Sequence, residues 1–481
     1  MSAAGTLAER LSAAEPVRLL REAFAAAGIE AWLVGGVVRD ALLGRPLADI
    51  DLAVAGDAEA AAAVASRALG GPRFPLSEQF GAWRVLGRDR AVASDVSPLQ
   101  GESIEQDLAR RDFALNAVAV PLAGGEPVDP FGGLADAADG VLRVLGARSY
   151  ADDPLRTLRL VRLAAELGMA PDAETERLTA AAAPRLTEPS GERVFGELRR
   201  LIVAPGVLDG LELARRLGVL AAVLPEIDAL QGVEQSHYHH LDVYGHTIAV
   251  LERQIELLRP GALEELFEAE APELRALLAE PLADGLTRAE ALRFGALFHD
   301  VAKPRTRGVR DDGRITFVGH DAAGQEIVRD VFRRLRASER LRNHVGALAR
   351  HHLALGFLAH ERPLGRATVY RYLSRCDPVE VDVSLLSCAD RLATRGRNAE
   401  RAIAAHLEVA RELIGPALRW HAEGPPRPPL RGDELAAALG IEPGPELGRL
   451  LTRLGEAVYT GEATTRDEAI ALARELLASG W

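Results

Sequence analysis

A chain of 481 residues exceeds what one hydrophobic core organises, so two to four domains are expected. Its 48% hydrophobic and 26% charged residues suit a globular protein, and no run of about 18 uncharged apolar residues offers a transmembrane span. The formal charge of −13 excludes a surface coated for nonspecific nucleic-acid binding, though not a local basic groove, while two cysteines, Cys376 and Cys388, form neither a metal pattern nor a disulfide framework.

The N-terminal stretch MSAAGTLAERLSAAEPVRLL carries charges where a secretory leader needs an apolar run, and it reads as an ordinary helix. A cytoplasmic protein is therefore expected. AWLVGG then reads as a short apolar strand ending at Gly35 and Gly36, which let the backbone turn tightly and approach a ligand. The helical spacing of VVRDALLG starts at those glycines. Free N–H groups there are expected to face phosphate, with Arg39 one turn in adding a charged fork. LADIDLAV reads as the next strand. Side chains two apart share one side of a strand, so Asp49 and Asp51 are expected side by side while Ile50 and Leu52 face the core. Two carboxylates that close repel each other and are costly to desolvate, and a hard divalent cation such as Mg²⁺ removes that cost. A bare D-x-D is more often a solvated strand end. Preceded by GG and RD in this order, it reads as a two-metal nucleotidyl-transfer site, with Asp95 in AVASDVSPL as the candidate third carboxylate.

Roughly the first 150 residues mix strand and helix signals, and from Asp152 onward the pattern is nearly all helical. In DDPLRTLRLVR, Asp153 and Arg156 lie three apart and are expected on one helix face, with Arg159 and Arg162 winding on round the same helix. Residues 260–285, PGALEELFEAEAPELRALLAEPLADG, are acidic and bounded by Pro and Gly, and read as a solvated insertion. The prolines of HAEGPPRPPLRGDE, from His421, read as a stiff extended linker to a small module of two or three helices.

The segments LVGGVVRDALLG…DIDLAV, DLARRDFALNAVA, VDPFGGLADAADGVLRVLG, DDPLRTLRLVRLAAELG and GERVFGEL resemble, in order, the motifs of class II tRNA nucleotidyltransferases, the CCA-adding enzymes, whose superfamily includes bacterial poly(A) polymerases. The resemblance implies an α+β chain: a polymerase-β-like mixed-sheet head at 1–145, then a helical neck and body at 146–232. It assigns catalysis to Asp49, Asp51 and Asp95, with Mg²⁺ on the first two and the nucleotide near Gly35, Gly36 and Arg39. Arg111 and Asp112 would sense the ribose and Asn116 would lie near the triphosphate. Asp153 and Arg156 would satisfy the hydrogen-bonding edge of cytosine or adenine, and Arg159 and Arg162 would meet phosphates. Glu192 and Arg193 would brace the neck as a buried ion pair. Between Asp95 and Arg110, where many full CCA-adding enzymes carry a longer flexible loop, only VSPLQGESIEQDLA intervenes. In relatives its loss is associated with partial addition, so CCA, CC alone and A alone all stay open.

Ten of the 12 histidines fall between His237 and His360. His246, then His299-Asp300, then Asp390 follow the H…HD…D order of the HD superfamily, in which neighbouring helices converge these side chains on a divalent metal. Mn²⁺, Fe²⁺, Ni²⁺ and Mg²⁺ are all admissible there. His320 and either His351 or His352 occupy positions that bind a second metal in some HD proteins. Lys303, the one lysine in the chain, could hold the scissile phosphate. His237, His239 and His240 read as a surface loop. The implied HD domain spans 233–420 and the linker and helical tail 421–481.

The implied function is transfer of nucleotides from CTP and ATP to the 3′ end of tRNA, with an HD domain that hydrolyses phosphoesters such as 2′,3′-cyclic phosphates. No membrane partner is expected, a homodimer is possible, and the tail would either grip tRNA or shape that dimer. One alternative is poly(A) addition to RNA generally. Another is a nucleotide-sensing protein whose only chemistry lies in the HD domain. Arginines 110, 111, 143, 148, 156, 159 and 162 suggest a basic cleft between head and neck.

Overall fold

A computed structural model describes the chain except residues 1–2, 48, 78–80, 89–91, 236–240, 360, 395–398 and 481. His237, His239 and His240 thus lie outside the described residues. The chain divides into two compact units, Met1–Val223 and Leu224–Trp481.

The first unit is built on a mixed sheet of β1 (Ala31–Val34), β2 (Asp49–Val54), β3 (Arg73–Ser77), β4 (Ala82–Leu86), β5 (Ala93–Pro98) and β6 (Ala119–Pro121), in the order β3-β4-β5-β2-β1-β6. β2 and β5 are parallel, and the other pairings are antiparallel. Ile50 and Leu52 point into the core as expected, against helices Glu15–Ala27 and Ala58–Leu69. The second of these is alanine-rich, so its backbone lies close to the sheet through Ala61, Ala62 and Ala65; Asp57 caps its start by accepting from the N–H groups of Glu59 and Ala60. On the other side of the sheet, Val34 and Ala53 pack against Ile104 and Leu108.

Six α-helices of the first unit follow the head, among them Arg156–Leu167 and Gly191–Val203. Asp153 stands outside the helix that carries Arg156, which corrects the shared-face expectation. Pro154 disfavours helical backbone at the residue before it, and Asp153 is extended at φ −149°, ψ 98°, its carboxylate accepting from the Leu155 N–H.

The second unit is almost wholly helical. Residues 260–285 are no solvated insertion: Leu263, Leu266, Phe267, Leu274, Leu277 and Leu278 are buried in helices Ala262–Phe267 and Ala271–Ala279. The three- and four-residue spacing of those apolar positions outweighs the glutamate count. Nor is 421–431 a free spacer. His421–Glu423 complete the long helix Ala399–Glu423, and Leu430 is buried. The tail is three helices, Gly432–Leu439, Pro445–Thr460 and Arg466–Ser479, around Leu435, Leu450 and Leu454. It docks on helix Arg366–Cys376, where the Tyr370 hydroxyl donates to the Thr452 carbonyl at 3.2 Å and the rings of Tyr370, Trp420 and Tyr459 meet. No helix among the described residues is long and apolar enough to cross a membrane.

Candidate active sites

Strand register builds the first centre. Asp51 on β2 stands opposite Asp95 on β5, and Asp95 stands opposite Arg84 on β4, so one row across three strands carries two carboxylates and a guanidinium. Asp49 sits one step along β2 on the Asp51 side and is exposed. Both oxygens of Asp95 are held by Arg84, from Nε and Nη2 at 2.7 Å each. Burial, then the charge of Asp95, pushes the Asp51 carboxyl up to about 6, against the pull of Arg111 and the Gly36 N–H. Gly35 has φ 68°, and a Cβ there would lie 2.9 Å from Arg111 Nη1 and 3.4 Å from Asp51 Oδ2, so only glycine fits. Three clustered carboxylates, one of them costly to ionise, suit a divalent cation, and the donor set is the hard oxygen set that Mg²⁺ prefers.

These residues open on a cleft of about 1220 Å³. Gly35, Gly36, Arg39, Arg111, Asp112, Asn116, Asp153, Arg156, Arg159 and Arg162 all line it with the three aspartates. The basic cleft expected from the arginine row is instead balanced, nine arginines against nine carboxylates. Arg39 bonds Asp40 and the Asn116 side-chain oxygen, and Arg111 bonds Asp107. Arg159 bridges Asp112 at 3.2 Å and Glu197 at 2.9 Å, while the buried Arg162 takes Glu197 and Glu166 at 2.5 Å each. Arg143 lies outside the cleft and pairs with Asp136. Burial would raise the Asp112 carboxyl, but Arg159, Asn116 and Arg156 outweigh it and hold it below the usual range. Arg156 is pinned to the carbonyls of Arg110, Arg111 and Ser149, and its Nε is buried without a partner.

Glu192 and Arg193 are not a buried brace. Both are exposed, and Arg193 donates to Asp153 at 2.7 Å. Glu197, one turn further along the helix and 8% exposed, takes that role, and the buried face of GERVFGEL was the signal for it. Glu197→Ala leaves Arg162 with one carboxylate and should destabilise the first unit by about 2–4 kcal/mol, read as a loss of several degrees in Tm, with Glu197→Gln milder.

The second centre gathers His246 from helix Val243–Leu257, His299 and Asp300 from the end of Arg288–Phe298, His320 from His320–Arg334, His352 just past Glu339–His351, and Asp390 from Glu380–Ala393. Ligand atoms of His246, His299 and Asp390 lie within 4.8 Å of one another, as do those of Asp300, His320 and His352. Asp300 reaches towards both sets. Its Oδ2 is 3.1 Å from His299 Nε2 and 3.8 Å from His246 Nε2; its Oδ1 is 3.4 Å from His320 Nε2 and 3.7 Å from His352 Nε2. His299, His320 and His352 each point Nδ1 at the carbonyl three residues back, at 2.7–2.8 Å, which turns Nε2 inward. The buried Nε2 of His299 has no well-aligned hydrogen-bond partner. Inward nitrogens, one of them orphaned, beside two carboxylates fit divalent metal ions.

His351 does not belong to this cluster. Consecutive residues at a helix end point about 100° apart, so only His352 turns inward. The half-buried His351 lies near Arg375 and Arg350, and burial pushes it down to about 4. Burial likewise takes His352 down to about 4. It would raise Asp300 and Asp390, but His299 and Lys303 hold Asp300 well below its ordinary value, and His246 does the same for Asp390. Lys303 donates to Asp300 at 2.6 Å and to the Gln235 side-chain oxygen at 2.7 Å. The centre borders a cavity of about 750 Å³ that also exposes Ser387, Arg391 and His406, polar residues outside the H…HD…D pattern.

Residues 31–143 match the poly A polymerase head domain, 168–231 the probable RNA and SrmB-binding site of polymerase A, and 274–395 the HD domain. The chain is 35% identical over 465 residues to a CC-adding tRNA nucleotidyltransferase of Thermus thermophilus, covering 94% of this chain and 96% of that one. The chain belongs to the tRNA nucleotidyltransferase family. An A-adding tRNA nucleotidyltransferase of Deinococcus radiodurans is 36% identical to it over 91% of this chain and 94% of its own. A CCA-adding enzyme in complex with CTP shares the nucleotidyltransferase's fold at TM-score 0.63 and 21% identity, over 99% of this chain and 98% of that one. So does a Thermotoga maritima CCA-adding enzyme complexed with tRNA, at TM-score 0.58 and 21% identity over 99% of both chains. The expected class, a nucleotidyltransferase carrying an HD domain, is borne out.

Proposed function

We propose that this nucleotidyltransferase extends the 3′ end of tRNA with only part of the CCA sequence, the CC pair, using CTP. The register that sets Asp51 beside Asp95 in an arginine-lined cleft supports nucleotide transfer. The partial activity is supported by residues 96–109: the segment leaves β5 and packs down at once as helix Ile104–Leu108, with Ile104, Asp107 and Leu108 buried. Adding A alone from ATP is the second reading, favoured by the Deinococcus radiodurans relative. Asp49 and Asp51, with Asp95, would hold Mg²⁺, which supplies an activated 3′ hydroxyl and charge neutralisation at the pyrophosphate. Gly35 provides clearance, Arg39 and Asn116 line the triphosphate side, Arg111 and Asp112 the ribose, and Asp153 and Arg156 the base edge. Arg159 and Arg162, already paired, position that wall.

In the second unit we assign phosphoester hydrolysis, with 2′,3′-cyclic phosphates as substrates. His246, His299, Asp300 and Asp390 would hold one divalent ion and Asp300, His320 and His352 a second, which together supply an activated water. Lys303 would exchange Asp300 for the phosphate. We place the enzyme in the cytoplasm with its tRNA.

Primer extension tests the first reading. On tRNAs ending before C, before CC and before A, CTP should extend the first two by CMP, and ATP should not extend the third. Incorporation of A alone on the third substrate selects the second reading, and long untemplated A tails would point to poly(A) addition.

A further inference from the structure

The cavity beside the HD centre is larger than a phosphate group requires. At about 750 Å³ it falls among pockets that enclose a whole small organic ligand. One wall is made of small residues: Gly356 from helix Ala354–Leu358, and Ala402 and Ala405 from Ala399–Glu423. Between them stands His406, whose Nε2 lies 3.1 Å from Ser387 Oγ. Both are nearly inaccessible, at 6% and 2% exposure, yet both border the cavity. A Cβ at Gly356 would sit 3.8 Å from His406 Cε1, so a larger side chain there would crowd the ring. Neither residue belongs to a metal-ligand set.

An imidazole bonded to a hydroxyl offers both donor and acceptor capacity, which matches a sugar hydroxyl. Burial pushes His406 down to about 4, so the pair is uncharged at neutral pH. Arg391 lines the same cavity, and its buried Nε has no hydrogen-bond partner. A guanidinium nitrogen left without an acceptor is a demand that an anion meets.

We propose that this wall is a nucleoside subsite, in which His406 and Ser387 bind a ribose hydroxyl and Arg391 binds the neighbouring 5′-phosphate, so that the HD centre acts on the terminal nucleotide of an RNA end. This rests on the phosphoesterase reading of the same centre.

The test uses the full chain with Mn²⁺ and three esters: adenosine 2′,3′-cyclic phosphate, the same compound bearing a 5′-phosphate, and bis(p-nitrophenyl) phosphate, which has neither ribose nor second phosphate. In His406→Gln and Ser387→Ala, the ratio of kcat/KM for the cyclic nucleotide to that for the nitrophenyl ester should fall about tenfold, mainly through KM. In Arg391→Gln the preference for the 5′-phosphorylated compound should disappear. The ratio is internal to each preparation, so loss of folded protein cancels. Wild-type hydrolysis of all three esters with unchanged ratios in the His406 and Ser387 variants overturns the subsite alone. If the wild type hydrolyses none of them, the phosphoesterase reading fails and the subsite with it.

Discussion

Asp51→Asn is expected to lower nucleotide addition by at least about 10³-fold and, at the same time, to stabilise the metal-free protein. The first effect follows from removing a charge where a divalent cation must be held. The second follows from the environment of Asp51: burial and Asp95 lift its carboxyl from 3.8 to about 6. Between those values the folded state binds more protons than the unfolded chain, so the metal-free protein loses stability as pH rises through that window. At pH 7.5 the full cost is present, and the neutral amide removes it. Because Asp51 is partly exposed, the gain is about 1–2 kcal/mol. Mg²⁺ should therefore raise the wild-type Tm strongly at pH 7.5 and weakly at pH 5, and leave the Tm of Asp51→Asn almost unmoved. A variant no more stable than the wild type without Mg²⁺ would contradict the electrostatics; one that still adds nucleotides would contradict the site. Hydrolysis at the HD centre should persist in either case.

Both centres were visible in the sequence wherever local geometry sets them. A strand alternates, so Asp49 and Asp51 share a side, and GG before them signals a backbone that needs clearance. The order of His246, His299-Asp300 and Asp390 carries the second centre through its resemblance to the HD superfamily, and helices of the fold bring these side chains together. What stayed hidden is long-range. Arg84 meets Asp95 because β4 and β5 pair in a particular register, and no local pattern fixes register across strands. Glu197 reaches Arg159 and Arg162 across 38 and 35 residues, so an arginine row that reads as a basic cleft is in part a paired one. Residues 260–285 differ for another reason: their acidic composition masks the helical period, and glutamates on one helix face say nothing about the leucines on the other. His351 and His352 differ by one helical step, too little for sequence to separate without knowing how the helix faces its neighbours.

The same substitution at the other centre should carry the opposite sign. Asp300→Asn is expected to cut metal-dependent phosphoester hydrolysis by at least about 10²-fold and to abolish tight metal binding measured on dialysed protein, because its two oxygens reach towards both proposed ligand sets. Its effect on metal-free stability differs from that of Asp51→Asn. Burial alone would raise the Asp300 carboxyl, yet His299 and Lys303 hold it well below 3.8, so the folded state favours the charged form. That contribution is present above the unfolded value and is lost as pH falls below it towards the folded one. At pH 7 the amide forfeits it, and Lys303 loses its anionic partner while keeping its bond to Gln235. Asp300→Asn should thus lower the metal-free Tm where Asp51→Asn raises it, with nucleotide addition retained. Two aspartates, each amid a cluster that fits divalent metal, are distinguished by their surroundings: the partly exposed Asp51 faces another carboxylate on the neighbouring strand, whereas the buried Asp300 sits between imidazole and ammonium. Equal signs for the two variants would mean that desolvation, and not these neighbours, governs both.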